Sequence, residues 1–217
     1  MSDTANATIE VFADIWCPFA HVGLRTFYEQ RSISGRSDLG VRIRPWPLEL
    51  VNGTPLDPAT TRAHVDDLRE QVAPMLFRHF DPDHFPSSTL PALALAECAY
   101  RTDLRLGERT SFALRDALFE EGRDISDPAV LRGMSDELGL EIASGVDDDA
   151  VLSGWHEGQR RGVKGSPHFF CGNRNIFCPS LQITKGQEQD MEIVRDTARL
   201  TDFLEQCFAD GQTAPPR

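Results

Sequence analysis

Strand-like sequence is confined to the two ends of this chain, and a long run of helix-like sequence lies between them. That division limits the fold more than any other feature. Residues 7–14 alternate and hold β-branched and aromatic side chains, which predicts a strand. Pro18 to about Gln30 predicts a helix, with Val22, Leu24, Phe27 and Tyr28 on its buried face and proline at its first position, where a missing N–H costs nothing. Val41-Arg-Ile-Arg44 predicts a second strand, ended by Pro45-Trp-Pro47 because proline cannot donate to a ladder. Residues 56–161 then read as helices: 60–80 with a break at Pro74, 90–101, 108–121, one opened by Asp127-Pro128 and closed by Gly139, and 147–161. Strand character returns at Pro167-His-Phe-Phe-Cys171, and the turn Gly172-Asn-Arg-Asn175 predicts a hairpin into Ile176-Phe-Cys178. A last helix is expected from about 187 to 209. The order β-α-β, helices, β-β-α predicts an α/β core, residues 1–55 and 162–217, interrupted by a helical insertion over residues 56–161.

Cys17 falls at the junction between the first strand and the first helix. Free N–H groups and the dipole of a helix start favour a thiolate there. The plainer reading is an inert cysteine filling space beneath Trp16. His21, four residues on, shares a helix face with Cys17 and as a cation would lower the thiol pKa; the alternative is an ordinary half-exposed histidine. Phe19 is either an apolar contact for substrate or packing.

Composition narrows the partners. The 217 residues include 34 acidic and 22 basic side chains, a net charge of −12. No basic stripe is available for phosphates or for an anionic membrane. No apolar run is long enough to cross a bilayer, and the polar N-terminus does not read as a secretory signal, so a cytoplasmic setting is expected. Thiols are kept reduced there, so the five cysteines are expected free. If Cys171 pairs with Ile176, Cys178 lies diagonally at about 7–8 Å, too far for easy bridging, and both read as core. Cys98 is expected buried and Cys207 accessible. No Cys/His spacing suits zinc, so no metal site is expected.

Two segments carry a resemblance. Asp14-Ile-Trp-Cys-Pro-Phe-Ala-His-Val-Gly23 resembles the active-site segment of the DsbA-like thioredoxin superfamily, and the FrnE-like proteins in particular, which have Cys-Pro-x-Cys-x-x-Gly here. Gly162-Val-Lys-Gly-Ser-Pro-His-Phe-Phe170 resembles that family's Gly-Val-x-Gly-x-Pro signature, whose proline is cis. The resemblance implies a thioredoxin fold with a helical insertion. It also implies catalysis at Cys17 and substrate binding by Pro18, Phe19, Ser166 and Pro167. One departure is plain, since Ala20 stands where the family has its second cysteine. The implied function is a thiol-disulfide oxidoreductase with a single active-site cysteine, working through mixed disulfides. Its partner would be a protein or small-molecule disulfide, and it would hold no tightly bound cofactor, although glutathione or another small thiol could take part. The same superfamily contains 2-hydroxychromene-2-carboxylate isomerases and kappa-class glutathione transferases, with serine in place of this cysteine. That keeps open a thiol-dependent transferase or isomerase, with a homodimer as a possibility of that branch. A non-catalytic peptide- or thiol-binding protein is the third reading.

Overall fold

A computed structural model describes residues 8–37, 39–140, 148–185 and 191–212. Strand β1 (Ile9–Ala13) leads through helix α1 (Pro18–Ile33) to β2 (Val41–Pro45), which pairs with β1 in parallel. Helices α2 (Leu48–Asn52), α3 (Pro58–Gln71), α4 (Leu90–Thr102), α5 (Leu104–Phe119), α6 (Pro128–Leu138) and α7 (Asp148–Arg160) follow. The chain then returns through β3 (His168–Cys171) and β4 (Arg174–Phe177), and ends in β5 (Leu181–Lys185), β6 (Met191–Arg195) and α8 (Thr197–Gln212). The main sheet has the order β2-β1-β3-β4, with β3 antiparallel to both its neighbours.

Inner position explains the apolar character of β1. Ile9, Val11, Phe12 and Ala13 are fully buried between neighbouring strands and helices. Leu24 and Phe27 of α1 pack with Phe169 of β3 and with Leu200, Phe203 and Leu204 of α8. Phe12, Trp46 and Phe170 form a separate apolar cluster. The middle helices close a third, around Trp16, Phe77, Phe80, Leu114 and Phe119.

Local signals set most of the helix boundaries. Pro18 opens α1, and Pro58, Pro91 and Pro128 lie in the first turns of α3, α4 and α6. Asp57, Asp103 and Asp127 cap α3, α5 and α6 by accepting from Thr60, Leu106 and Ala129 N–H groups. Gly139 ends α6 at φ 67°, a backbone conformation that costs glycine nothing.

Several sequence expectations are corrected. Strand β2 includes Pro45, which is tolerated because β2 is an edge strand. Helix α3 stops at Gln71, before Pro74. The expected helix from 187 begins only at Thr197, and Met191–Arg195 is a strand paired with β5. Residues 186–190 and Asp147, which opened the expected helix over 147–161, lie outside the described residues. The hairpin register places Cys171 opposite Arg174 and Phe169 opposite Ile176, so the assumed pairing of Cys171 with Ile176 does not hold. Cys98 is half-buried and Cys207 is buried, the reverse of what was expected.

Candidate functional site

The carboxyl end of β1 brings the site together. After Ala13 the chain leaves the sheet, and Cys17 occupies the N-cap position of α1 with no side-chain cap bond of its own. The Ser166–Pro167 peptide, which is cis, lies just before β3, the antiparallel partner of β1. The Cys17 thiol donates to the Ser166 carbonyl at 3.2 Å. The Asp14 N–H donates to Ser166 Oγ at 2.9 Å. Gly23 is where α1 meets this segment: a methyl there would sit 3.2 Å from Pro167 Cγ and 3.3 Å from Ser180 Oγ.

Cys17 is 4% exposed. Cys17, Pro18 and Phe19 line a half-enclosed cavity of about 140 Å3 with Leu48, Leu56, Asp57, Thr60, Thr61 and His64. The Phe19 and His64 rings lie 5.2 Å apart, centroid to centroid. Three of the predicted residues therefore share one wall. Ser166 and Pro167 meet them from the far end of the chain.

The electrostatics differ from the expectation. Burial pushes the Cys17 thiol up, and the charge of Asp14 adds to the push. Hydrogen bonding at Ser166 and the N–H groups of Ala20 and Phe19 pull the other way without overcoming burial. The resting group is a protonated thiol. His21, read as either a cation beside the thiol or a half-exposed histidine, is not half-exposed. It is fully buried, with its ring against Phe77 and Phe119. Burial lowers its pKa, and its Nε2 lies 2.7 Å from Glu120 Oε1. A carboxylate only accepts, so a neutral His21 carries its proton on Nε2 and donates it to Glu120. Although burial would raise the Glu120 carboxyl, His21 and the Phe77 and Arg78 N–H groups hold it at about 2.

Sequence reasoning passed over Asp14. It is fully buried and accepts from Leu48 N–H at 2.5 Å and from the Thr89 hydroxyl at 2.8 Å. The fully buried Arg115 donates to the Asp14 carbonyl at 3.2 Å and to Ser111. Burial raises the Asp14 carboxyl to about 6 against the pull of Leu48, Thr89, Ile15 and Arg115. The available signal was a carboxylate directly after the apolar run Val11-Phe-Ala13. Its partners, far along the chain, were not predictable from spacing.

A family model, the DSBA-like thioredoxin domain, matches residues 8–189. This chain belongs to the DSBA-like thioredoxin family. Its fold is the thioredoxin-like fold of that family. A probable DsbA oxidoreductase from Streptomyces coelicolor aligns with a TM-score of 0.69 at 17% identity, over 98% of this chain and 93% of the other. The cytosolic disulfide reductase DsbM from Pseudomonas aeruginosa, solved with GSH, aligns at 0.58 and 21% identity, over 95% and 98%. A 2-hydroxychromene-2-carboxylate isomerase aligns at 0.59 and 13% identity, over 96% and 100%. These likenesses establish the fold alone. No curated protein matches the chain. Among the described residues, no helix is long and apolar enough to cross a membrane.

Proposed function

We propose that this DSBA-like protein is a thiol-disulfide exchange enzyme that uses Cys17 as its nucleophile and runs in the reducing direction. The observation that carries this reading is the Cys17 thiol at the start of α1, bonded to the Ser166 carbonyl and set in the wall of a small cavity. Loss of the thiol proton gives a thiolate that attacks one sulfur of a bound disulfide. A bond forms between Cys17 and that sulfur, the substrate S–S bond breaks, and the departing sulfur leaves as a thiolate that takes up a proton. The product is a mixed disulfide on Cys17.

The environment of the thiol supports the reducing direction. Family members that oxidise other proteins do so because a stabilised thiolate makes their reduced form the favoured one. In this chain burial disfavours the thiolate. Cys17 is therefore a poor leaving group and a strong nucleophile once ionised, as suits a donor of electrons. The cytosolic reductase with bound GSH shares this fold, which supports a disulfide of low molecular weight as substrate.

The test uses a chromogenic aromatic disulfide. The intact protein is expected to release aryl thiolate at a rate that rises with pH beyond the ordinary thiol range. Cys17→Ser is expected to abolish the release, and Cys98→Ser to retain it. Equal release by Cys17→Ser and the intact protein would overturn the reading. Isomerase or transferase turnover with glutathione that survives Cys17→Ser would move the assignment to that branch of the superfamily.

A further inference from the structure

We propose that Cys178 is the resolving thiol of this site, standing in for the family cysteine that Ala20 replaces; the proposal rests on Cys17 forming the mixed disulfide described above. The main chain brings both cysteines to the Ser166–Pro167 dipeptide. Cys17 bonds through its thiol to the carbonyl of Ser166, and Cys178 donates its N–H to the carbonyl of Pro167 at 2.9 Å. One contacts the dipeptide through its sulfur and the other through its backbone N–H. The register explains this. Phe177, the last residue of β4, pairs with His168, so the next residue, Cys178, stands level with Pro167 on the neighbouring strand. Gly23 lets α1 lie directly on Pro167 and Ser180, so the helix that Cys17 begins is packed onto the segment containing Cys178.

Two further observations separate Cys178 from the other cysteines. Its φ is 44°, the left-handed region, which a non-glycine residue enters at a cost and which recurs at functional positions. Its charge state is also linked to Cys17. Burial raises the Cys178 thiol to about 12, and the next largest contribution is an ionised Cys17. Cys171 ends β3 at its other end, while Cys98 and Cys207 lie on α4 and α8.

In the resolving step the Cys178 thiolate attacks the Cys17 sulfur. The Cys17–Cys178 bond forms, and the bond from Cys17 to the substrate sulfur breaks. The second half of the substrate leaves as a thiolate and is protonated. Two electrons have then passed from the two cysteines to the substrate. Two small thiols return them: the first attacks the internal disulfide, freeing one cysteine and leaving a mixed disulfide on the other, and the second displaces that cysteine and departs with the first as a small-molecule disulfide. A Cys17–Cys178 link requires Cα atoms about 4.4–6.8 Å apart in the oxidised form.

The experiment treats the reduced full-length protein with glutathione disulfide, quenches in acid at intervals, alkylates, and maps the peptides by mass spectrometry. The intact protein is expected to pass through a Cys17–glutathione adduct to a Cys17–Cys178 link. Cys178→Ser is expected to stop at the adduct and extend its lifetime on the order of tenfold or more, because an internal thiol acts at an effective concentration of millimolar or above. Cys178→Gly, which suits the positive φ, guards against a folding defect in the serine variant and is expected to behave alike. Cys98→Ser is expected to behave as the intact protein. An adduct that persists equally in the intact protein and both variants overturns the resolving role and leaves Cys17 exchange standing. No adduct in any form of the protein overturns both.

Discussion

Asp14 shows how one side chain can serve both stability and chemistry. Its carboxyl titrates near 6 in the folded protein, above the ordinary 3.8. The folded state therefore holds this proton more tightly than the unfolded chain does. The stability this provides is present in full below about pH 4 and is lost as the pH climbs towards 6. Asp14→Asn removes that slope. Between pH 4 and 7 the stability of the variant, from urea unfolding, should improve relative to the parent by on the order of 1–3 kcal/mol. The same substitution removes a negative charge that opposes ionisation of Cys17. Alkylation of Cys17 at pH 7 should therefore quicken several-fold in the variant. A rate that is unchanged or slower would show that Asp14 does not act on the sulfur. This residue was not legible from the sequence as a partner of the site, because its role depends on Leu48, Thr89 and Arg115.

Among the elements, the contact between α4 and α5 is the least forgiving. Gly107 faces Tyr100, and a methyl at Gly107 would lie 2.0 Å from its ring. The ring is not free to move, because its hydroxyl accepts from Ile43 N–H at 2.9 Å and Arg42 stacks on its face at 4.1 Å. Gly107→Ala should cost about 1–3 kcal/mol or more, the usual penalty for overpacking a core, read as a fall in thermal midpoint. A variant that melts with the parent would mean α5 can slide without cost. The elements also mark where the sequence was and was not legible. The strand before Cys17, α1 and α6 followed from apolar runs, caps and proline. The β5–β6 hairpin did not. Its strands Leu181–Lys185 and Met191–Arg195 are rich in polar and charged residues, and Ile183 and Val194 are exposed. It is held partly from a distance: the Gln71 amide donates to Met191 carbonyl and accepts from Ile193 N–H, both at 2.8 Å. A side chain so far away in sequence, acting as a strand neighbour, leaves no local pattern to read.

Charge acts on the whole molecule. A net charge of −12 repels itself in the compact state, and dissolved salt screens exposed charges over about 10 Å at 0.1 M. The ion pairs of this protein that are mostly buried, such as Arg31–Glu108 and Arg42–Glu97, are screened much less. Raising the salt from low to physiological strength should therefore raise the melting temperature, by roughly 2–4 °C if the gain is near 1 kcal/mol. A fall would show that surface pairs outweigh the net repulsion.

The bond from Cys17 to Ser166 joins residues 149 positions apart. A ribosome therefore delivers the sulfur long before its acceptor, and a growing chain carries Cys17 as a solvent-exposed thiol open to any passing oxidant. Closure of β3 onto β1 supplies the Ser166 carbonyl that its thiol bonds. Burial at 4% exposure predicts that alkylation of this cysteine slows once synthesis and folding have both finished, and a pulse of thiol reagent during translation would then mark the chains still waiting for their C-terminal half.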